Sequence, residues 1–312
     1  MIAYQDRVFA LETDRTGYLF RVTAFGHLEH VHYGEKVPRG EIEPLLTKRA
    51  IMQGSSVLYD AARDESYCLD NIPLEWSGVG CGDYRQTPAE VRLADGTYRT
   101  DFVYDSHEIV SGCVPMETLP SAYDDTNAAQ TLIVTLLDRA GGLKLLLYYT
   151  VFPAVDVITR RAALVNAGEG AVSIRRLMSM QLDMENEGFS LVTFDGAWIK
   201  ETHRHDRRLQ YGQFVNSSVT GASSNRHNPG FLLYADGATQ SCGRVYGFNL
   251  VYSGNHFGLA ELSPFDLVRV QLGVNPHCFE WTLASGARFE TPEAVMTFSP
   301  NGFNGMSAQF HD

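Results

Sequence analysis

The chain has 312 residues, 44% of them hydrophobic and 20% charged, with a net charge of −12. That length suffices for a large core and the composition is that of a globular protein. The charge has the wrong sign for gripping nucleic acid or docking on anionic lipid, so neither partner is expected.

The N-terminal run MIAYQDRVFALETDR lacks both a basic n-region and an apolar h-region, and no later run approaches the ~20 apolar residues of a bilayer span. Five scattered cysteines (Cys68, Cys81, Cys113, Cys242, Cys278), never spaced as CxxC, suit reduced thiols better than a disulfide framework or a zinc site. A cytoplasmic location is the expectation.

Residues 18–24 and 28–33 read as short strands about a hairpin or bend at Gly26. Residues 41–53 suit one or two helical turns after Pro44. The stretch 69–85, LDNIPLEWSGVGCGDYR, is a shaped loop, because Pro73 removes a donor and Gly78, Gly80 and Gly82 loosen the backbone. Residues 98–110 return to extended structure. Residues 131–152 form a hairpin about Arg139-Ala140-Gly141-Gly142, apolar on both faces and so buried between layers. Residues 157–167 and 171–183 read as a second hairpin across Gly168-Glu169-Gly170. Further strands are expected near 189–203, 208–219, 244–252, 257–262, 267–274, 278–283 and 294–298. With no repeat, linker or helical periodicity, one all-β domain over 1–312 follows: a large two-sheet antiparallel sandwich with minor helical turns.

Chemistry concentrates in residues 69–85. Asp70, Trp76, Asp83, Tyr84 and Arg85 have two readings. An exposed indole beside charged groups covers the apolar face of a sugar while Asp and Arg take its hydroxyls. A core tryptophan near a surface ion pair has the same sequence. Other clusters are weaker. Asp124-Asp125 suit a solvated turn better than a catalytic pair. His203 and His205 share a strand face, with Asp206 or His227 as a third ligand, but the run KETHRHDRRL suits an exposed edge, so no metal is assigned. Trp198 and Trp281 lie in strand-like runs and read as core or interface. There is no P-loop, GxGxxG or GxSxG, and no cofactor is expected.

The loop LDNIPLEWSGVGCGDYR resembles the N-terminal domain of glycoside hydrolase family 36 alpha-galactosidases. So do YLFRVTAFGHLEHVHYG (18–34), SSNRHNP (223–229), VYGFNLVYSGN (245–255), VQLGVNP (270–276) and ETPEAVMTFSPNGFNGMS (290–307), in family order. The resemblance implies a supersandwich followed, after TPEAV, by a (β/α)8 barrel carrying both catalytic aspartates. Residues 304–312 then begin the helical connection to a barrel this chain lacks. It implies no catalytic residue here, and an oligomer, usually a tetramer, in which loop 69–85 closes a neighbour's galactoside site. Asp70 and Arg85 would be hydrogen-bonding contacts, Trp76 a wall, Tyr84 a further contact, and Asp83 the holder of Arg85. Ser224 and Asn228 would face the barrel. Cys81 departs from some relatives, and family-wide the loop tunes preference between short galactosides and raffinose-type sugars. The expected function is thus a non-catalytic domain of an alpha-galactosidase. A free-standing carbohydrate-binding module and a mutarotase-like sugar enzyme are the alternatives.

Overall fold

The computed structural model describes residues 1–38, 42–46, 57–223 and 225–311. The strands follow one another with few helical interruptions: β1 (Ile2–Gln5), β2 (Val8–Glu12), β3 (Thr16–Val22), β4 (Leu28–Glu35), β5 (Ala89–Arg92), β6 (Val103–Ser111), β7 (Gln130–Asp138), β8 (Leu143–Phe152), β9 (Val157–Asn166) and β10 (Val172–Glu185). Then come β11 (Ser190–Ala197), β12 (Lys200–Arg208), β13 (Gly212–Ser217), β14 (His227–Tyr234), β15 (Val245–Val251), β16 (His256–Leu262), β17 (Leu267–Val274), β18 (Trp281–Leu283), β19 (Arg288–Glu290) and β20 (Glu293–Ser299), before the helix α1 (Gly302–His311).

The pairings among the described residues make three antiparallel sheets. A ten-stranded sheet runs β12-β11-β14-β15-β20-β9-β8-β7-β6, with β19 alongside β9. A six-stranded sheet runs β13-β16-β17-β10-β18, with β5 on β10, and a four-stranded sheet runs β1-β2-β3-β4. The two smaller sheets lie side by side against one face of the large one. Phe20 on β3 stacks on Tyr149 of β8 at 5.1 Å, and Tyr33 on β4 meets Tyr246 of β15 at 5.5 Å. Gly258 of β16 sits so close to Phe231 of β14 that a Cβ would lie 2.9 Å from its ring. The main core fills this interlayer, from Phe9 and Tyr18 to Met296 and Phe298.

The expected all-β class, the 18–33 hairpin and the 131–152 hairpin are present as β3–β4 and β7–β8. The second hairpin is not. β9 pairs with β8 and β20, whereas β10 pairs with β17, β18 and β5 in the opposite layer. The glycine-rich link 167–171 therefore carries the chain across the sandwich, which a hairpin-like sequence does not distinguish from a tight turn. The polar run 223–229 is also only partly a loop, since β14 begins at His227 and pairs with β11 and β15. Of the helical expectation at 41–53, the described part holds a single 3-10 turn, Glu43–Leu45; the rest lies outside the described residues.

At the C-terminal end, α1 buries Phe303 and Met306 on the outer face of the large sheet. Gly247 of β15 makes room for it, a Cβ there falling 2.4 Å from the Phe310 ring. No helix among the described residues is long and apolar enough to cross a membrane.

Candidate functional site

Residues 69–85 occupy the seam between the two smaller sheets. The Glu75 amide donates to Leu28 O at 3.0 Å and the His30 amide to Pro73 O at 3.0 Å, so 73–75 extends the β4 edge. On the other side, the Leu74 amide donates to Asp183 Oδ2 (2.9 Å) and Gln181 Nε2 to Leu74 O (3.2 Å), both side chains belonging to β10. A short stretch with no strand signal thus completes the second layer.

Two buried ionic clusters fasten it. In the first, the Glu75 carboxylate accepts from Tyr18 Oη (2.7 Å), Tyr149 Oη (2.8 Å) and His30 Nδ1 (2.7 Å), and pairs with Arg160 Nη2 at 3.1 Å. Arg160 Nη1 also donates to Gln181 O at 2.5 Å. Burial pushes the Glu75 carboxyl up, but Arg160 and the donors outweigh it and hold the group below its ordinary value. Burial raises the Tyr18 and Tyr149 phenols well above theirs.

In the second cluster, Arg269 Nε donates to Asp183 Oδ1 (2.8 Å) and its Nη2 to Asp83 Oδ2 (2.7 Å). Arg85 Nε donates to Asp83 Oδ1 (2.8 Å) and its Nη1 pairs with Asp183 Oδ2 at 3.0 Å. Arg85 Nη2 reaches the carbonyls of Leu69 (2.7 Å) and Ile72 (3.0 Å). Burial opposes ionisation of Asp83, yet Arg269 and Arg85 bring its carboxyl down to about 2.

This geometry divides the sequence candidates. Trp76 is not an exposed platform: it is 2% exposed within the main core. Its indole follows Leu74, which bridges to Glu29 of β4, so the tryptophan is a core residue, and the ion pair beside it is buried rather than on the surface. Arg85 is likewise buried at 5% exposure, with its guanidinium committed to two carboxylates and two carbonyls, and is not open to a ligand. The Asp83 side chain is enclosed between the two arginines. Tyr84 is the outlier, 67% exposed, and its amide donates to the partly exposed Asp70 at 3.0 Å. The structure therefore brings Tyr84 and Asp70 together at the surface, on a base built by the other three.

Glycines set this outward turn. Gly80 and Gly82 have φ of +82° and +99°. Gly78 passes so close to Thr100 O that a Cβ would lie 2.1 Å from it.

The anchors on the sheets, Tyr18, Tyr149, Arg160, Asp183 and Arg269, were not singled out from the sequence. Their signal is present in hindsight: Arg160 and Asp183 interrupt runs apolar on both faces, VITRRAALVNA and AVSIRRLMSMQLD.

Ser224 lies outside the described residues. Asn228 sits on β14, where its carbonyl accepts from Asn216 Nδ2 at 2.8 Å. The histidine run falls on β12, exposed throughout, while His227 Nδ1 bonds Asp195 at 2.8 Å. Among the described residues no three His, Cys, Asp or Glu side chains converge as a metal site. Trp198 and Trp281 are not core residues; they are 80% and 51% exposed.

Comparison with known proteins matches residues 26–284 to the Glycosyl hydrolase family 36 N-terminal domain. Alpha-galactosidase 1 of Pediococcus pentosaceus is 34% identical over 307 residues, covering 98% of this chain and 42% of that protein. The solved galactosidase domain of alpha-galactosidase-sucrose kinase AgaSK superposes with a TM-score of 0.95 at 33% identity, over 99% of this chain and 43% of that one. A variant of alpha-galactosidase AgaA from Geobacillus stearothermophilus, solved in complex with raffinose, superposes at 0.93 with 33% identity, over 97% and 42%. The chain spans less than half the length of each of these relatives.

Proposed function

This chain belongs to glycosyl hydrolase family 36 as its N-terminal domain, and from that premise we propose that it serves an alpha-galactosidase without itself supplying the reacting carboxyls. Glycoside hydrolysis uses two carboxyl groups, one of which must carry a proton to the leaving oxygen. The carboxylates of the two ionic clusters are unsuited to that task. Asp83 is held at about 2 by two arginines, and Glu75 is held low by Arg160 and three further donors.

What the loop does supply is a rigid ledge bearing Tyr84 and Asp70. Its role in the assembled enzyme is to contact a galactoside bound on a neighbouring catalytic unit, with Tyr84 offering a ring face and a hydroxyl and Asp70 an acceptor. Asp83, Arg85 and Trp76 position that ledge from below. The observation that carries this reading is the pairing of a heavily exposed tyrosine with a buried, doubly salt-bridged base.

Two measurements test it. The isolated chain is expected to release no chromophore from a chromogenic alpha-galactoside; turnover above a mock purification overturns the non-catalytic assignment. In a longer enzyme bearing this domain, Tyr84→Ala is expected to raise KM about tenfold with kcat little changed, the loss of one aromatic contact. Unchanged kinetics in both Tyr84→Ala and Asp70→Ala would remove the loop from the sugar site. An oligomer is part of the same proposal, and light scattering on the eluted chain would reveal a monomer if the barrel is needed for assembly.

A further inference from the structure

A second candidate binding site lies away from residues 69–85, none of which lines it. The segment 114–119 and the strands β18 and β19 enclose a cleft of about 730 Å³, with Tyr148, Tyr252 and Phe279 on its walls. That size is within the range of small-molecule sites. Trp281, which the sequence assigned to core or interface, is its most prominent ring. The indole is half exposed, and Phe289 props it at a centroid distance of 5.5 Å, itself backed by Phe279 at 5.9 Å. The platform is therefore built from below rather than left loose on the surface.

The polar groups of the cleft are equally fixed. Arg288 Nη2 donates to Tyr148 Oη at 2.9 Å and to Glu290 Oε1 at 3.1 Å. Both bonds leave from one nitrogen, so Nε and Nη1 are not used in them, and the side chain stays 42% exposed. Tyr148 is itself clamped by the Arg161 guanidinium 4.0 Å over its ring. Glu290 pairs with both Arg288 and Arg161, and Glu117 also lines the cleft, so positive and negative groups stand together there with no excess of one sign.

We propose that this cleft is a saccharide-binding site, in which a pyranose ring stacks on Trp281 and its hydroxyls are bound by Arg288 and Glu290. A neutral polyol with an apolar C–H face matches a propped aromatic face beside a compensated donor–acceptor pair. A purely apolar ligand would desolvate the Arg288 Nε and Nη1 donors without supplying an acceptor, which is costly. The site does not depend on the role given above to Tyr84 and Asp70.

The test is titration of this chain with raffinose and, separately, galactose, followed by calorimetry and tryptophan fluorescence. Saturable binding of raffinose is expected, weakened at least about tenfold by Trp281→Ala and several-fold by Arg288→Gln. Trp198→Ala, at an exposed tryptophan outside both the cleft and the loop, is expected to bind as the parent does. Circular dichroism of the Trp281 variant checks that it is folded, which its exposed position favours. Absence of saturation, equal binding by parent and both cleft variants, or loss of binding in Tyr84→Ala alone would each overturn the proposal. The last outcome would instead favour the loop, so the two readings fail separately.

Discussion

At the scale of single residues, the second ionic cluster is the strongest handle. Arg85→Met leaves Asp83 and Asp183 facing one another across Arg269 with one cation fewer. Removing one partner of a buried pair costs about 3–5 kcal/mol, and a denaturant melt of the variant should show a loss of that order. Acid should act on the same group. With the folded Asp83 carboxyl at about 2, below its ordinary 3.8, its contribution is fully present above about pH 4 and disappears as pH falls towards 2. The amount is about 2 kcal/mol, and Asp83→Asn should flatten that part of the stability–pH curve. His256 defines a separate window. It is buried with no hydrogen-bond partner for either ring nitrogen among the described residues, and burial, assisted by His227, brings its pKa down to about 4. The unfolded chain takes up that proton near 6.5, so stability should fall between pH 6.5 and 4, by about 3 kcal/mol. His256→Phe should remove the slope in that interval while leaving the lower one.

At the scale of elements, the loop depends on a backbone fit. Gly78→Ala would drive a methyl into the Thr100 carbonyl, which has little room to retreat because the Thr100 amide is bonded to Val79 O at 3.0 Å. A loss of about 1–3 kcal/mol is expected in a thermal melt, the usual cost of overpacking. The same scale marks what was legible in the sequence. Strand positions followed from β-branched and aromatic runs, and β7–β8 from a glycine turn between them. Partner choice did not follow, because β9 and β10 are apolar on both faces and such strands fit either layer. The capture of 73–75 was invisible for a related reason: its pairing is made to β4 on one side and to side chains of β10 on the other. For Trp76, residue type and neighbours were right for two opposite roles, and only the seam decides between them.

At the scale of the molecule, one segment joins three sheets. Glu75 reaches β3, β4, β8 and β9, Leu74 bonds side chains of β10, and Asp83 and Arg85 pair with β10 and β17. Unfolding of one layer should therefore not precede the other. In a Trp198→Phe, Trp281→Phe background, the fluorescence of buried Trp76 and the far-UV circular dichroism should share one urea midpoint; separate midpoints would show that the layers melt independently. The seam also bears on redesign. An engineer grafting this stretch from another family member would be transplanting masonry along with the exposed fitting it carries. Positions 70 and 84 lie outside the two ionic clusters, whereas the residues around them come as a set with the walls they hold together.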